Sequence, residues 1–203
     1  MPSRNLEKIY LEDSFYHVYN RGVNKRRIFL QDRDYAVFLS LLKRYLDKTP
    51  VKDNKGREYE WLHKRIELSA FCLMPNHFHL LLYQKDSRAM TRLLSGLCTS
   101  YTGFFNKKYS RSGPLFQDRF KASLITRDEY LQHISRYLHL NPPNYRQYEW
   151  SSLPYYLETR SAGWLNPQRI LDLFEGDDYQ SFVANYEDHK RVIDEVKSQL
   201  ADT

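Results

Sequence analysis

Two histidines flank a phenylalanine at His77-Phe78-His79, and their spacing is that of a strand with both imidazoles on one face. Side chains two apart along a strand sit roughly 7 Å from each other, close enough to lean onto one metal ion. Solvent-facing histidine pairs also occur in half-buried strands without any metal, so the spacing alone leaves both readings open. A second group lies downstream, in Arg136-Tyr137-Leu138-His139-Leu140-Asn141-Pro142. Tyr137 and Asn141 are four residues apart and share a helix face, with His133 one turn earlier. An amide oxygen is a candidate third ligand beside two imidazoles. Imidazole combined with hard oxygen suits Mg2+ or Mn2+, and zinc would also bind. The plain alternative is that Tyr137 is one more core residue among 17 tyrosines.

Basic and aromatic residues frame these groups. Arg21, Lys25, Arg26 and Arg27 follow the first strand with no acidic residue among them. Lys107, Lys108, Arg111, Arg119, Lys121 and Arg127 surround the last strand, opposed by Asp118. Basic side chains track a phosphate backbone while exposed rings stack on bases, which is how single strands are held. The helical rings Tyr101, Phe104 and Phe105 fit a core better.

The elements that must position these residues follow from periodicity. Phe15–Asn20 reads as a strand with Phe15, His17 and Tyr19 on one face. Asp34–Asp47 reads as an amphipathic helix through Tyr35, Phe38, Leu39, Leu42 and Leu46, capped by Asp32. A polar loop over Thr49–Tyr59 precedes a hairpin of Ile66–Met74 and His77–Tyr83 around a Pro75-Asn76 turn. Ser87–Tyr109 is a long helix, and Phe120–Ile125 a fourth strand. Thr126 to Glu129 fits a capping box, so a further helix starts there. It should end near Leu140, because a residue before proline avoids the helical region. This order predicts an α+β fold, one antiparallel sheet with helices packed on it. Residues 1–144 are expected to form the main domain and residues 145–203 a mainly helical extension, with helices around Gln168–Phe174 and Asp178–Lys197.

Composition sets the outer bounds. The chain has 203 residues and a net charge of +6, with 9 acidic and 3 basic residues from Ile170 onward. A basic body suits a polyanionic partner, or simply a soluble surface. Cys72 and Cys98 lie in apolar contexts without a CxxC pair, and are expected to be reduced core residues. No run approaches the 18 or so apolar residues of a membrane span, and the opening residues have no apolar core of a secretion signal. A cytoplasmic, nucleoid-associated location with no membrane partner is expected.

Taken together, FYHVYNRGVNKRRIF, AFCLMPNHFHLLL, GPLFQDRFKASLI, YLQHISRYLHLNP and YEWSSLPYYL resemble the REP-associated tyrosine transposases. These are a branch of the single-tyrosine HUH endonucleases that includes insertion-sequence transposases. The likeness spans Phe15 to Leu157, about 70% of the chain. It implies a ferredoxin-like sheet and a metal, Mg2+ or Mn2+, held by His77, His79 and Asn141. Tyr137 would be the nucleophile, helped by the metal or by His133 or a water as proton acceptor, forming a 5′-phosphotyrosine intermediate. Insertion-sequence relatives carry glutamine where this chain has Asn141. The implied substrate is single-stranded DNA with hairpins, such as palindromic repeats, contacted by Arg21, Lys25, Arg26, Arg27, Arg119 and Lys121. The protein would act as a monomer or homodimer. A non-catalytic hairpin DNA- or RNA-binding regulator on the same fold is the alternative.

Overall fold

The computed structural model describes residues 10–174 and 178–185. Four strands form one antiparallel sheet: β1 (Ser14–Arg21), β2 (Ile66–Met74), β3 (His77–Gln84) and β4 (Lys121–Ile125), in the order β2-β3-β1-β4. α1 (Asp32–Leu46) connects β1 to β2, and α2 (Ala89–Lys108) connects β3 to β4. α3 (Asp128–Leu140) follows β4. Among the described residues three short α-helices follow: α4 (Leu153–Tyr156), α5 (Gln168–Leu171) and α6 (Tyr179–Ala184). This is the expected α+β arrangement.

Strand alternation sorts the side chains into two layers. Tyr16, Val18, Phe78, Leu80 and Leu82 face one side and are buried with Phe38 and Leu42 of α1 and Leu93, Leu97 and Tyr101 of α2. Each such large apolar side chain contributes about 1.5–3 kcal/mol on burial. On the other side Ala70, Cys72 and Leu81 pack with Leu131, Ile134 and Leu138 of α3. The histidine pair lies on this second side, so α3 and the two histidines occupy the same layer.

The chain after α3 closes the outer edge of β2. Leu73 N–H donates to the Trp150 carbonyl and Ser152 N–H to the Phe71 carbonyl, both at 2.9 Å. Further along, Asn166 N–H donates to the Leu68 carbonyl at 2.8 Å. An edge that would otherwise offer unpaired backbone groups is thereby covered.

Some local expectations differ from the structure. α1 starts at Asp32 rather than after it, and the Asp34 carboxylate accepts from the Leu30 and Gln31 N–H groups at 2.8 and 3.1 Å. No side-chain cap forms at the start of α3, where Arg127 is the N-cap and the anticipated capping box is not made. α5 stops at Leu171 instead of Phe174, and α6 ends at Ala184. The remainder of the anticipated helix Asp178–Lys197, from residue 186 onward, lies outside the described residues. Cys72 and Cys98 are free thiols, as expected. Among the described residues no helix is long and apolar enough to cross a membrane.

Candidate active site

Strand register assembles the site. Tyr19 of β1 stands opposite both His79 of β3 and Lys121 of β4, and His79 stands opposite Cys72 of β2. One row along, Arg21 pairs with His77 and His77 with Met74. One row the other way, His17 is flanked by Leu81 and Ser123. The two central strands thus present His17, Tyr19, His77 and His79 as a polar patch on the α3 side.

The imidazoles are tied to partners. His77 and His79 lie with ring centroids 4.9 Å apart at 89°. His77 Nδ1 is 2.7 Å from Asn76 Oδ1, and His79 Nδ1 is 2.9 Å from His17 Nε2. Burial pushes the His17 and His77 pKa values down to about 4, with the Arg21 charge adding to the effect on His77. Burial also holds His79 well below its ordinary value. All three histidines are therefore neutral at physiological pH, the form that ligates metals.

α3 delivers the phenol to this patch. The Tyr137 ring lies edge-on to His79 at 5.7 Å and to His17 at 6.3 Å. Asn141 lies one turn beyond Tyr137 on the same helix, near enough to act on both the Tyr137 hydroxyl and the His77 ring. Burial raises the Tyr137 pKa and the Asn141 side chain lowers it, with burial the larger effect. The phenol is accordingly protonated near neutral pH.

Among the described residues no three His, Cys, Asp or Glu side chains form a ready metal cluster. Two imidazoles and an amide oxygen nevertheless make a donor set of the right chemistry for a divalent ion. The hydroxyl of Tyr19 is closed off from solvent and has no hydrogen-bond partner among the described residues. Its ring lies 5.9 Å from that of His79, so an orphaned polar group borders the same patch. The residues fit the group.

The basic residues gather at the same end of the sheet. Arg21, Lys25, Arg26, Arg27 and Arg119 are exposed, and Lys121 is half-buried beside Tyr19. The turn carrying Lys25 is held against the histidine turn: Gly22 N–H donates to the Asn76 carbonyl at 2.9 Å, and Ile28 N–H to the Pro75 carbonyl at 2.8 Å.

Sequence reasoning misplaced one residue and missed two. His133, considered as a proton acceptor, is engaged elsewhere, with Nδ1 2.9 Å from an Arg136 guanidinium nitrogen and its ring beside Phe182. His17 and Tyr19 were visible only as alternate members of a strand face, and the signal that could have found them was that this face is polar in the middle. His139 is fully buried and bonds away from the patch, to Tyr179 and Ser152.

Residues 58–141 match the family described as IS200-like transposases. A search of curated proteins gives no match. Among solved structures, a REP-associated tyrosine transposase bound to a REP hairpin is similar in fold. Its TM-score is 0.52 at 14% identity, over 75% of this chain and 84% of that one. A candidate transposase from Deinococcus radiodurans R1 aligns with a TM-score of 0.41 at 16% identity, over 63% of this chain and 90% of that one. The segment that matches the IS200-like transposase family contains His77, His79, Tyr137 and Asn141.

Proposed function

We propose that this protein cleaves and rejoins single-stranded DNA beside hairpins, with Tyr137 as nucleophile. What supports the reading is one cluster: the Tyr137 ring lies edge-on to that of His79 at 5.7 Å, with Asn141 close enough to act on both the Tyr137 hydroxyl and the His77 ring. Mg2+ or Mn2+ held by His77, His79 and Asn141 would supply Lewis-acid polarisation of the scissile phosphate. The phenol oxygen forms a bond to phosphorus, and the bond to the leaving 3′ oxygen breaks. The phenolic proton passes to water, and the leaving oxygen takes one up to become a 3′ hydroxyl. The product is a 5′-phosphotyrosine. One phosphodiester replaces another, so a free 3′ hydroxyl can reverse the step and reseal a strand. All the side chains named come from one chain, so a single copy holds the whole set.

The substrate assignment draws on the exposed basic residues around the site and on the fold relative solved with a REP hairpin. Arg21, Lys25, Arg26, Arg27, Arg119 and Lys121 would follow the phosphates of the strand. Replacing Lys121 by alanine should reduce the slope of log affinity against log salt by about 0.7, the share of one single-strand phosphate contact. A nucleoid-associated, cytoplasmic protein fits such a substrate.

The test is a labelled hairpin with single-stranded flanks, incubated with Mn2+ or with EDTA and run on a denaturing gel. The unaltered chain should yield a covalent protein–DNA adduct with Mn2+ only. Tyr137→Phe should lower adduct formation by about 10³-fold or more while hairpin binding persists. Cleavage that survives in Tyr137→Phe would sink the nucleophile assignment. Binding without any adduct from the unaltered chain would favour a non-catalytic hairpin-binding regulator.

A further inference from the structure

We infer that His17 is a positioning residue that fixes the proton of His79 on Nδ1, leaving Nε2 free to ligate the ion. The inference rests on the metal reading above and adds a residue to it.

The argument starts from the short contact between two buried rings. His17 and His79 are 2% and 3% exposed, so water does not compete for the hydrogen bond between them. His17 Nε2 and His79 Nδ1 are 2.9 Å apart, and one proton lies between them. A neutral imidazole carries a single N–H, so the position of that proton decides what the far nitrogen can do. If His17 donated, His79 would carry its own proton on Nε2 and present no lone pair there. If His79 donates, Nε2 keeps its lone pair.

His77 shows which arrangement the site uses. Its Nδ1 faces Asn76 Oδ1 at 2.7 Å, and a carboxamide oxygen only accepts. With Asn76 Oδ1 as acceptor, the neutral His77 ring carries its proton on Nδ1 and keeps the Nε2 lone pair for a ligand. A cation shared by both rings needs the same tautomer at His79, with His17 Nε2 as acceptor. Outer partners of this kind, usually a carboxylate or a backbone carbonyl, fix ring orientation and tautomer in metal-bound histidines. Here one turn residue and one neighbouring-strand imidazole share that task. The strand position does not itself demand histidine, since the residue opposite His17 on β3 is the plainly apolar Leu81. Burying an imidazole there is costly unless its nitrogens are used.

The test reads the proton directly and the ion separately. In metal-free protein labelled with 15N-histidine, long-range 1H–15N correlation should report His79 as the Nδ1–H tautomer and His17 with Nε2 unprotonated. Mn2+ affinity, measured by electron paramagnetic resonance without DNA, should fall by about 10–100-fold in His17→Phe. His17→Gln, whose side-chain oxygen can accept the same proton, should stay close to the unaltered affinity. Circular dichroism checks that both variants fold, and if His17→Phe does not, the tautomer spectrum of the unaltered chain decides alone. An Nε2–H tautomer at His79 would overturn the inference, as would full Mn2+ affinity in a folded His17→Phe. Failure of the unaltered chain to bind Mn2+ would instead bring down the metal reading, and this inference with it.

Discussion

Asn141 keeps helical dihedrals, φ −58° and ψ −41°, although Pro142 follows it. The residue before a proline ordinarily avoids that region. Its retention holds the amide on the Tyr137 face, one turn on, within reach of both the phenol and His77. Asn141→Ala should therefore separate the two groups, lowering Mn2+-dependent adduct formation by about 10–100-fold with little change in melting temperature. An unchanged rate of adduct formation would remove Asn141 from the site. Gly22 serves the same corner from the other side. A Cβ there would meet the Arg26 carbonyl oxygen at 2.3 Å, so the turn that holds Asn76 depends on its absence. Gly22→Ala should cost about 1–3 kcal/mol in urea unfolding, as overpacking does. The histidine pair was legible because alternation needs only neighbouring residues. His17 was not, because its meaning lies in a partner 62 positions away, and only strand register brings the two together.

At the scale of elements, the position of α3 decides whether Tyr137 can reach the imidazoles. Periodicity revealed that helix from Tyr130, Leu131, Ile134 and Leu138, but not what anchors it. The anchor is a buried polar network. His139 Nδ1 and the Tyr179 hydroxyl are 2.7 Å apart, and His139 Nε2 and Ser152 Oγ are also 2.7 Å apart. Tyr179 in turn donates to Ser135 Oγ at 3.0 Å, and Ser152 Oγ accepts from the Phe71 N–H at 2.9 Å. α3 is thus tied to α6 on one side and to β2 on the other. The segment after residue 144 supplies two of these groups, which gives it a part in holding the tyrosine helix. Composition could not disclose this, since serine, histidine and tyrosine carry no sign of burial. Removing one hydroxyl leaves a buried imidazole nitrogen unsatisfied. Tyr179→Phe should therefore cost about 1–3 kcal/mol in stability. It should also slow adduct formation while leaving hairpin affinity unchanged. A variant as stable and as fast as the unaltered chain would mean that α3 is held by apolar packing alone.

For the whole molecule, an antiparallel sheet with helices packed on it was legible from the succession of strands and helices, while its order β2-β3-β1-β4 is the ferredoxin-like one that the resemblance implied. The covering of the β2 edge by residues 150–166 was not, because those bonds are made by backbone groups that every residue carries. The burial of histidine was equally hidden, and it has a consequence for the molecule as a unit. His17 and His77 are pushed down to about 4, His139 to about 3, and His79 also well below its ordinary value, in each case chiefly by burial. In the unfolded chain each takes up a proton near pH 6.5. Between that pH and the folded values the unfolded state binds more protons, so stability rises with pH across the window. The contribution is complete above about pH 6.5 and is lost as pH falls toward 4. Each histidine changes stability by about 1.4 kcal/mol per pH unit at most, and four acting together by about 5. A domain of ordinary stability holds about 5–15 kcal/mol in total, so unfolding should set in between about pH 5 and 4. Urea midpoints measured from pH 7.5 to 4.5 should be level at first and then fall steeply below 6.5. His77→Gln removes one titrating ring at the more exposed edge, and its curve should be shallower by about one proton. Midpoints that stay level down to pH 5 would mean that the rings accept protons in the folded state. The neutral, ligand-ready patch on the α3 side of the sheet would then not exist.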